Sequence, residues 1–177
     1  MAHNLMIDEK SGEFAFVNSV KKIEDRAWHS LGQEVSDAMT SEIAIRKSHL
    51  DFEVVTSPSK TFFNGEWKDI PGRKATINAK NGKVLGEVGS NYEVIQNVDA
   101  FSFFDSIVGE KKAIFETAGA LGNGEKIFIT AKLPDYIKID NKDLLEQFLF
   151  LTNSHDGTGA IIAAFTPIRM VCNNTLN

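Results

Sequence analysis

Turns between strand-like segments are the feature of this sequence that most constrains its fold. Asparagine precedes glycine at Asn64-Gly65, Asn81-Gly82 and Asn123-Gly124, and Asp156-Gly157 forms a fourth turn candidate of the same kind. Both residues of such a pair tolerate positive φ angles, which the tight turns of antiparallel hairpins require. Strand-like runs flank each turn. The pattern therefore predicts a largely antiparallel sheet built from hairpins, with no βαβ signature.

Two segments have the periodicity of helices. Residues 98–108 follow Asn97 as an N-cap and end at Gly109, and the apolar side chains expected to face the sheet are Val98, Phe101, Phe104, Ile107 and Val108. A weaker amphipathic pattern covers residues 41–50 after Thr40, with Ile43, Lys47 and Leu50 on one side. Residues 144–151 fit either a helical turn or a strand. We therefore expect an α+β fold with two or three helices packed on one face of the sheet.

Length and composition fit one domain that spans residues 1–177, with an irregular region at 1–36 and a sheet-and-helix core at 37–177. Hydrophobic residues make up 42% of the chain and charged residues 24%, which is ordinary for a globular protein. The one cysteine, Cys172, excludes an intramolecular disulfide and fits a reducing compartment. No apolar run approaches the length of a membrane helix. These features predict a soluble cytoplasmic protein with no membrane partner.

The hairpin near the end of the sequence contains a candidate functional loop. Apolar runs at 148–151 and 160–165 flank the polar residues 153–159, so we expect a buried hairpin with an exposed loop. The loop contains Asn153, Ser154, His155 and Asp156. Ser154-His155-Asp156 has the residue types of a hydrolase triad, but consecutive residues project in different directions. Turn formation is therefore the favoured interpretation, and His155 as a general base remains an alternative.

No motif in the sequence indicates a metal or cofactor site. The four histidines lack His-x-x-x-His spacing, and Cys172 has no second cysteine with which to bind zinc. Residues 118–124 are glycine-rich but lack the Gly-Lys-Ser/Thr ending of a phosphate-binding loop. Arg169 stands alone in an apolar stretch, which favours structural pairing. Trp28 is expected to anchor its loop to the core, and His29 is expected to form a hydrogen bond within that loop. We predict no cofactor, no metal and no catalytic residue.

Basic residues are concentrated between positions 60 and 83. Six cations and two acidic residues, Glu66 and Asp69, give this stretch a net charge of 6 − 2 = +4 in a chain of −5. Cations beside an aromatic side chain can bind single-stranded nucleic acid through phosphate contacts and base stacking. The candidate nucleic-acid-binding residues are Trp67, Lys68, Arg73, Lys74, Lys80 and Lys83. The simpler alternative is that lysines on exposed strands prevent edge pairing.

The sequence resembles the phage/plasmid-like protein family that carries domain of unknown function 932. The resemblance extends nearly from end to end and rests on an ordered set of segments: MAHNL at 1–5, AWHSLG at 27–32, GSNYEVIQNVDAFSFF at 89–104, FETAGAL at 115–121, LTNSHDG at 151–157 and TPIRMVCNNTL at 166–176. Members of this family are encoded by bacteriophages, prophages and plasmids. They extend beyond the point where this sequence ends, which implies that the chain is the N-terminal part of a longer protein.

The family setting implies a role in the DNA of mobile elements, in replication, in recombination or in protection against host defence, within the cytoplasm of a bacterial host cell. The order of hairpins and helices is also similar to that of single-strand-annealing recombination proteins, an analogy of fold alone. The leading hypothesis is a non-enzymatic factor that binds single-stranded DNA. The alternatives are an acidic protein-interaction module that acts against host defence and an enzyme centred on residues 153–159. Candidate partners are therefore single-stranded DNA, a host or phage protein, and a second copy of the chain.

Overall fold

The computed structural model describes residues 4–19, 31–35, 39–111, 113–140 and 143–167. The expectations for Trp28, His29, Arg169 and Cys172 lie outside these residues.

The described residues form an α+β fold with two sheets and two helices, as the sequence predicts. In chain order the elements are β1 Phe16–Asn18, β2 Gln33–Glu34, α1 Ser41–Lys47, β3 Val54–Phe63, β4 Glu66–Asn78, β5 Val84–Gly89, α2 Asn97–Lys111, β6 Ile114–Leu121, β7 Lys126–Asp140, β8 Asp143–Ser154 and β9 Ile162–Thr166. The larger sheet has the strand order β2-β1-β6-β7-β8-β9, and the smaller sheet has the order β3-β4-β5. Every strand pair is antiparallel except β1 with β2.

All four predicted turns connect antiparallel neighbours. Asn64 and Gly65 have φ angles of 51° and 83° between β3 and β4, where both central residues of the turn have positive φ. Gly82, Gly124 and Gly157 also have positive φ, in the connections after β4, β6 and β8. The hairpin prediction is therefore confirmed, and the segment 144–151 that fitted either structure belongs to strand β8.

Both helices occur where the sequence predicts them, with differences at their ends. The Thr40 hydroxyl caps α1 by accepting from the Ile43 N–H at 3.3 Å. Helix α2 continues through Gly109 to Lys111, because one glycine within a helix is tolerated at a cost of about 1 kcal/mol. Asn97 is the first residue of α2, and its side chain donates to the Leu50 carbonyl instead of capping the helix. Val98 is 52% exposed, so its predicted contact with the sheet is wrong.

The main core lies between the larger sheet and the two helices. Phe101 and Phe104 of α2 are fully buried, and the Phe104 ring lies 5.7 Å from that of Phe115 on β6. Ile127 and Ile129 of β7 are equally buried in the same cluster. The apolar face of α2 and the inward side chains of the sheet thus exclude water together, which is the main source of stability in a fold of this kind.

Part of the N-terminal region belongs to the core. Strand β1 pairs with β6, and Phe16 and Val17 are fully buried. Leu5 forms an isolated bridge to Leu121. Residues 4–18 therefore add a strand and apolar surface to the larger sheet, although the sequence predicts an irregular region here.

The β8–β9 hairpin differs from the expected buried strands and exposed loop in two places. Strand β9 is the edge strand of the larger sheet, and its Ile162 and Phe165 side chains are 50% and 57% exposed. The expectation that this apolar run is buried is wrong, because Ile162 and Phe165 lie on opposite faces of the strand and both faces are exposed there. Conversely, Asn153, Ser154 and His155 are buried, although the sequence favours an exposed loop.

No helix within the described residues is long and apolar enough to span a membrane.

Phe104, which is buried, and Phe103, which is exposed, are neighbours in α2 and together provide a test of the core. We expect Phe104→Ala to lower the free energy of unfolding by about 3–5 kcal/mol, because it leaves a cavity at a fully buried site. Phe103, which is 51% exposed, is the matched control, and Phe103→Ala should cost less than about 1 kcal/mol. Urea unfolding followed by circular dichroism measures both values. Equal losses in the two variants would contradict this placement of the helix.

Candidate functional site

Most of residues 57–74, here called the arm, extends beyond strand β5 as a two-stranded hairpin of β3 and β4, and Arg73 and Lys74 form its base. Strand β5 pairs with β4 only from Arg73 onward, so residues 66–72 have β3 as their only neighbour in the sheet. Most arm residues are exposed. Pro58 pairs with Lys74, whereas Lys60 pairs with Asp69, so β4 contains extra residues at this register shift. Gly72 has a φ of 71° there, a conformation that favours glycine at a bulge.

The tip of the arm carries three large aromatic side chains. Phe62, Phe63 and Trp67 are 58%, 60% and 69% exposed. Phe62 and Trp67 are directly paired across the strands, and their ring centroids lie 5.3 Å apart. Exposed aromatic residues that lie together are typical of interaction sites. They leave apolar surface in contact with water, which is unfavourable unless a partner covers it.

The candidate cations near the arm differ in their surroundings. The Lys68 ammonium lies 5.7 Å from the centroid of the Phe63 ring, within range of a cation–π contact. Lys60 forms an ion pair with Asp69 at 3.5 Å. Among the residues that the structure describes, no carboxylate lies within ion-pair distance of Lys68, Arg73 or Lys74. These three cations are therefore available to an anionic partner.

Lys80 and Lys83 lie at the opposite end of β4 from the tip. Lys80 contacts Asp8 at 3.2 Å and Asp51 at 3.4 Å, and Lys83 contacts Glu9 at 2.7 Å. Trp67 and Asn78 pair with Phe62 and Val54, eight residues apart on β3, so at about 3.3 Å per residue this end of the strand lies roughly 26 Å from Trp67. The structure thus brings Trp67 and Lys68 together at the tip, with Arg73 and Lys74 at the base of the arm. It does not bring Lys80 and Lys83 to the same place.

The ion pairs of Lys80 and Lys83 hold the N-terminal segment against the smaller sheet. A cleft of about 130 Å³ lies between the N-terminal segment and the smaller sheet, and Asp8, His49 and Lys80 are among its lining residues. Burial acts to raise the pKa of Asp8, but hydrogen bonds from the Ser11 backbone N–H and from Lys80 outweigh it and lower the pKa to about 2. Asp8 therefore remains ionised and paired, which indicates a structural role for this cluster.

The candidate loop after β8 joins the two sheets. The His155 N–H donates to the Glu125 carbonyl at 2.6 Å, and its carbonyl accepts from the Thr76 hydroxyl of β4 at 2.6 Å. The Ser154 carbonyl accepts from the Tyr92 hydroxyl at 2.8 Å. The Asn153 side chain donates to the Ile95 carbonyl at 2.9 Å. These bonds explain how so polar a segment is buried, because most of its polar groups are hydrogen-bonded within the protein.

The His155 ring is fixed as one tautomer. Its Nε2 lies 2.8 Å from the Asn97 Oδ1, and the Asn97 amide nitrogen already donates to the Leu50 carbonyl at 3.0 Å. The Asn97 oxygen must therefore accept, so His155 Nε2 carries the proton and Nδ1 does not. His155 Nδ1 is buried and has no partner within the described part of the chain. Burial lowers the pKa of His155 to about 4, although the nearby Asp156 acts to raise it.

This geometry favours a structural role for residues 153–156. The His155 side chain is fully buried, so a substrate cannot reach the ring without a rearrangement. Asp156 accepts from the N–H and hydroxyl of Thr158, at 2.9 Å and 2.7 Å, as a residue that stabilises a turn does. No group of three or more His, Cys, Asp or Glu side chains in the described ranges is placed to hold a metal ion. Catalysis by His155 stays a prediction, and its position gives that prediction no support.

Phe62 and Phe63 are not among the candidate interface residues predicted from the sequence. The available signal was the consecutive pair Phe62-Phe63 directly before the Asn64-Gly65 turn. Consecutive strand residues point to opposite faces, so a thin two-stranded hairpin exposes at least one of the two rings.

His155 generates a prediction about acid stability. Its pKa is about 6.5 in the unfolded chain and about 4 in the folded protein, so the unfolded state binds more protons below pH 6.5. The free energy of unfolding should therefore fall by about 2 kcal/mol from pH 7 to pH 5, and the part of the loss that is due to His155 should level off below about pH 4. Urea unfolding at each pH measures this change. In His155→Gln the loss should be absent over the same range, and an equally steep decline in that variant would assign the effect to other groups.

Comparison with known proteins gives one family. The model of the family described as domain of unknown function DUF932 matches residues 84–177, which is more than half of the chain. The match covers β5, α2, the strands that follow them and the 153–159 loop, and it begins after the arm. No curated protein and no solved structure matches the chain. The chain therefore belongs to the DUF932 family, a family without a characterised function.

Proposed function

We propose that the chain binds single-stranded DNA through the arm, as a non-enzymatic factor in the replication or recombination of mobile-element DNA. The observation that carries the proposal is the set of exposed aromatic rings at the tip, next to cations without acidic partners among the described residues. Bases would stack on Trp67 and Phe62, and Arg73 and Lys74 would contact phosphates. Lys68 lies on the opposite face of the tip and would add only to the attraction of the polyanion. Stacking of this kind tolerates any sequence, because every base has an aromatic face.

The distribution of charge supports this assignment. The arm contains four cations, Lys60, Lys68, Arg73 and Lys74, and two acidic residues, Glu66 and Asp69, for a net charge of 4 − 2 = +2. The rest of the chain then has a net charge of −5 − 2 = −7. A polyanion is attracted to the arm and repelled by the remainder, so the arm is the favoured contact surface.

The second candidate function is an acidic interaction module that acts against a host defence protein. The charge of −7 outside the arm favours it, because exposed carboxylates can present a pattern of negative charge to a protein that binds DNA. On this alternative the arm is not required for binding, which separates the two proposals experimentally.

Fluorescence anisotropy with a labelled oligonucleotide of about 20 nucleotides tests the DNA proposal. We expect Trp67→Ala to weaken binding about tenfold, the effect of losing one stacked base. The double variant Arg73→Ala/Lys74→Ala should also bind more weakly. Its slope of log K against log salt should be shallower by about 1.4, since each phosphate contact with a single strand contributes about 0.7.

Lys83→Ala is the matched control, because it removes a cation that is already paired with Glu9. We expect its affinity to stay within about twofold of the unaltered chain. The proposal fails if the chain does not bind the oligonucleotide at about 50 mM salt. It also fails if Lys83→Ala weakens binding as much as the double variant does.

A further inference from the structure

The tip of the arm has two different aromatic faces. Residues directly opposite in an antiparallel pair lie on the same face, so Phe62 and Trp67 share one face. Phe63 pairs with Glu66, and the neighbouring pair is Thr61 with Lys68, so these residues lie on the other face. The contacts agree with the register, because the Phe62 and Trp67 rings meet on one side and Lys68 lies over Phe63 on the other. We call these the Trp67 face and the Phe63 face.

Both faces are open to solvent. Phe63 is as exposed as Phe62, at 60% against 58%, so neither face of the tip is covered by the core. A single strand that stacks on Phe62 and Trp67 occupies the Trp67 face alone. The Phe63 face, with the Lys68 ammonium 5.7 Å from the ring centroid, then remains free for a second strand.

The thickness of the tip decides which arrangement of two strands fits. A hairpin with side chains on both faces is about 10 Å thick, the spacing between packed sheets. Successive base pairs in an intact duplex are separated by about 3.4 Å, so the tip cannot enter between them. Two strands flank an object of this thickness only where they have already separated. The end of a duplex with two unpaired strands has this geometry.

From this arrangement we infer that the arm recognises the junction between duplex and single-stranded DNA, with one separated strand on the Trp67 face and the other on the Phe63 face. The inference rests on the proposed function, because it uses the same aromatic residues. It adds a substrate class, a forked duplex, and a role for Phe63 that binding of one strand does not require. The tip would abut the last base pair and keep the separated strands apart.

The test compares a forked duplex with each of its strands alone, by anisotropy at the same salt concentration. We expect the fork to bind about tenfold more tightly than a single strand, the gain from one further stacked base. Phe63→Ala should reduce the affinity for the fork to that for the single strand, while single-strand binding stays within about twofold. Trp67→Ala should weaken binding to both.

Phe103→Ala is the matched control, since it removes an exposed aromatic ring from α2 and should change neither affinity. Circular dichroism confirms that each variant is folded. Equal affinity for fork and single strand would overturn this inference and leave the proposed function intact. A fork preference that survives Phe63→Ala, or equal binding of a blunt duplex, would also overturn it. Absence of binding to either strand alone would overturn the proposed function itself.

Discussion

The hydrogen bonds around His155 connect two sheets that share no strand. Through its carbonyl the residue accepts from Thr76 of the smaller sheet, and through its N–H it donates to Glu125 in the turn of the β6–β7 hairpin. Its ring reaches Asn97 at the start of α2, which in turn contacts the Leu50 carbonyl. One residue thus fixes the smaller sheet, a turn of the larger sheet and a helix. The position of the arm relative to the main core depends on this junction.

Close backbone packing accompanies the junction. A Cβ on Gly86 of β5 would overlap the backbone of Asp156, so only glycine allows the smaller sheet to approach this closely. The same closeness excludes water from His155 and leaves its Nδ1 without a partner among the described residues. An unpaired acceptor costs stability, and the junction tolerates that cost because the other polar groups of the segment are satisfied. The Ser-His-Asp triplet therefore has an architectural explanation that does not involve catalysis.

The elements that follow from local chemistry could be predicted from the sequence, and those that depend on tertiary context could not. The Asn-Gly turns and the Thr40 cap need only neighbouring residues, and both occur as expected. The burial of His155 depends on partners 30 to 79 residues away, such as Glu125 and Thr76. The exposure of β9 depends on its position at the edge of the sheet, which no local pattern encodes. Of the candidate cations, sequence alone could not separate Lys83, which is paired with Glu9, from Lys74.

Most side chains of the arm are exposed, so the arm contributes little to the core. Substitutions at Phe62, Phe63 or Trp67 remove little buried surface, so the folded state tolerates them at low cost. Core positions such as Phe104 do not have this freedom. Substitution at the tip of the arm can therefore alter what the tip contacts without altering how the protein folds.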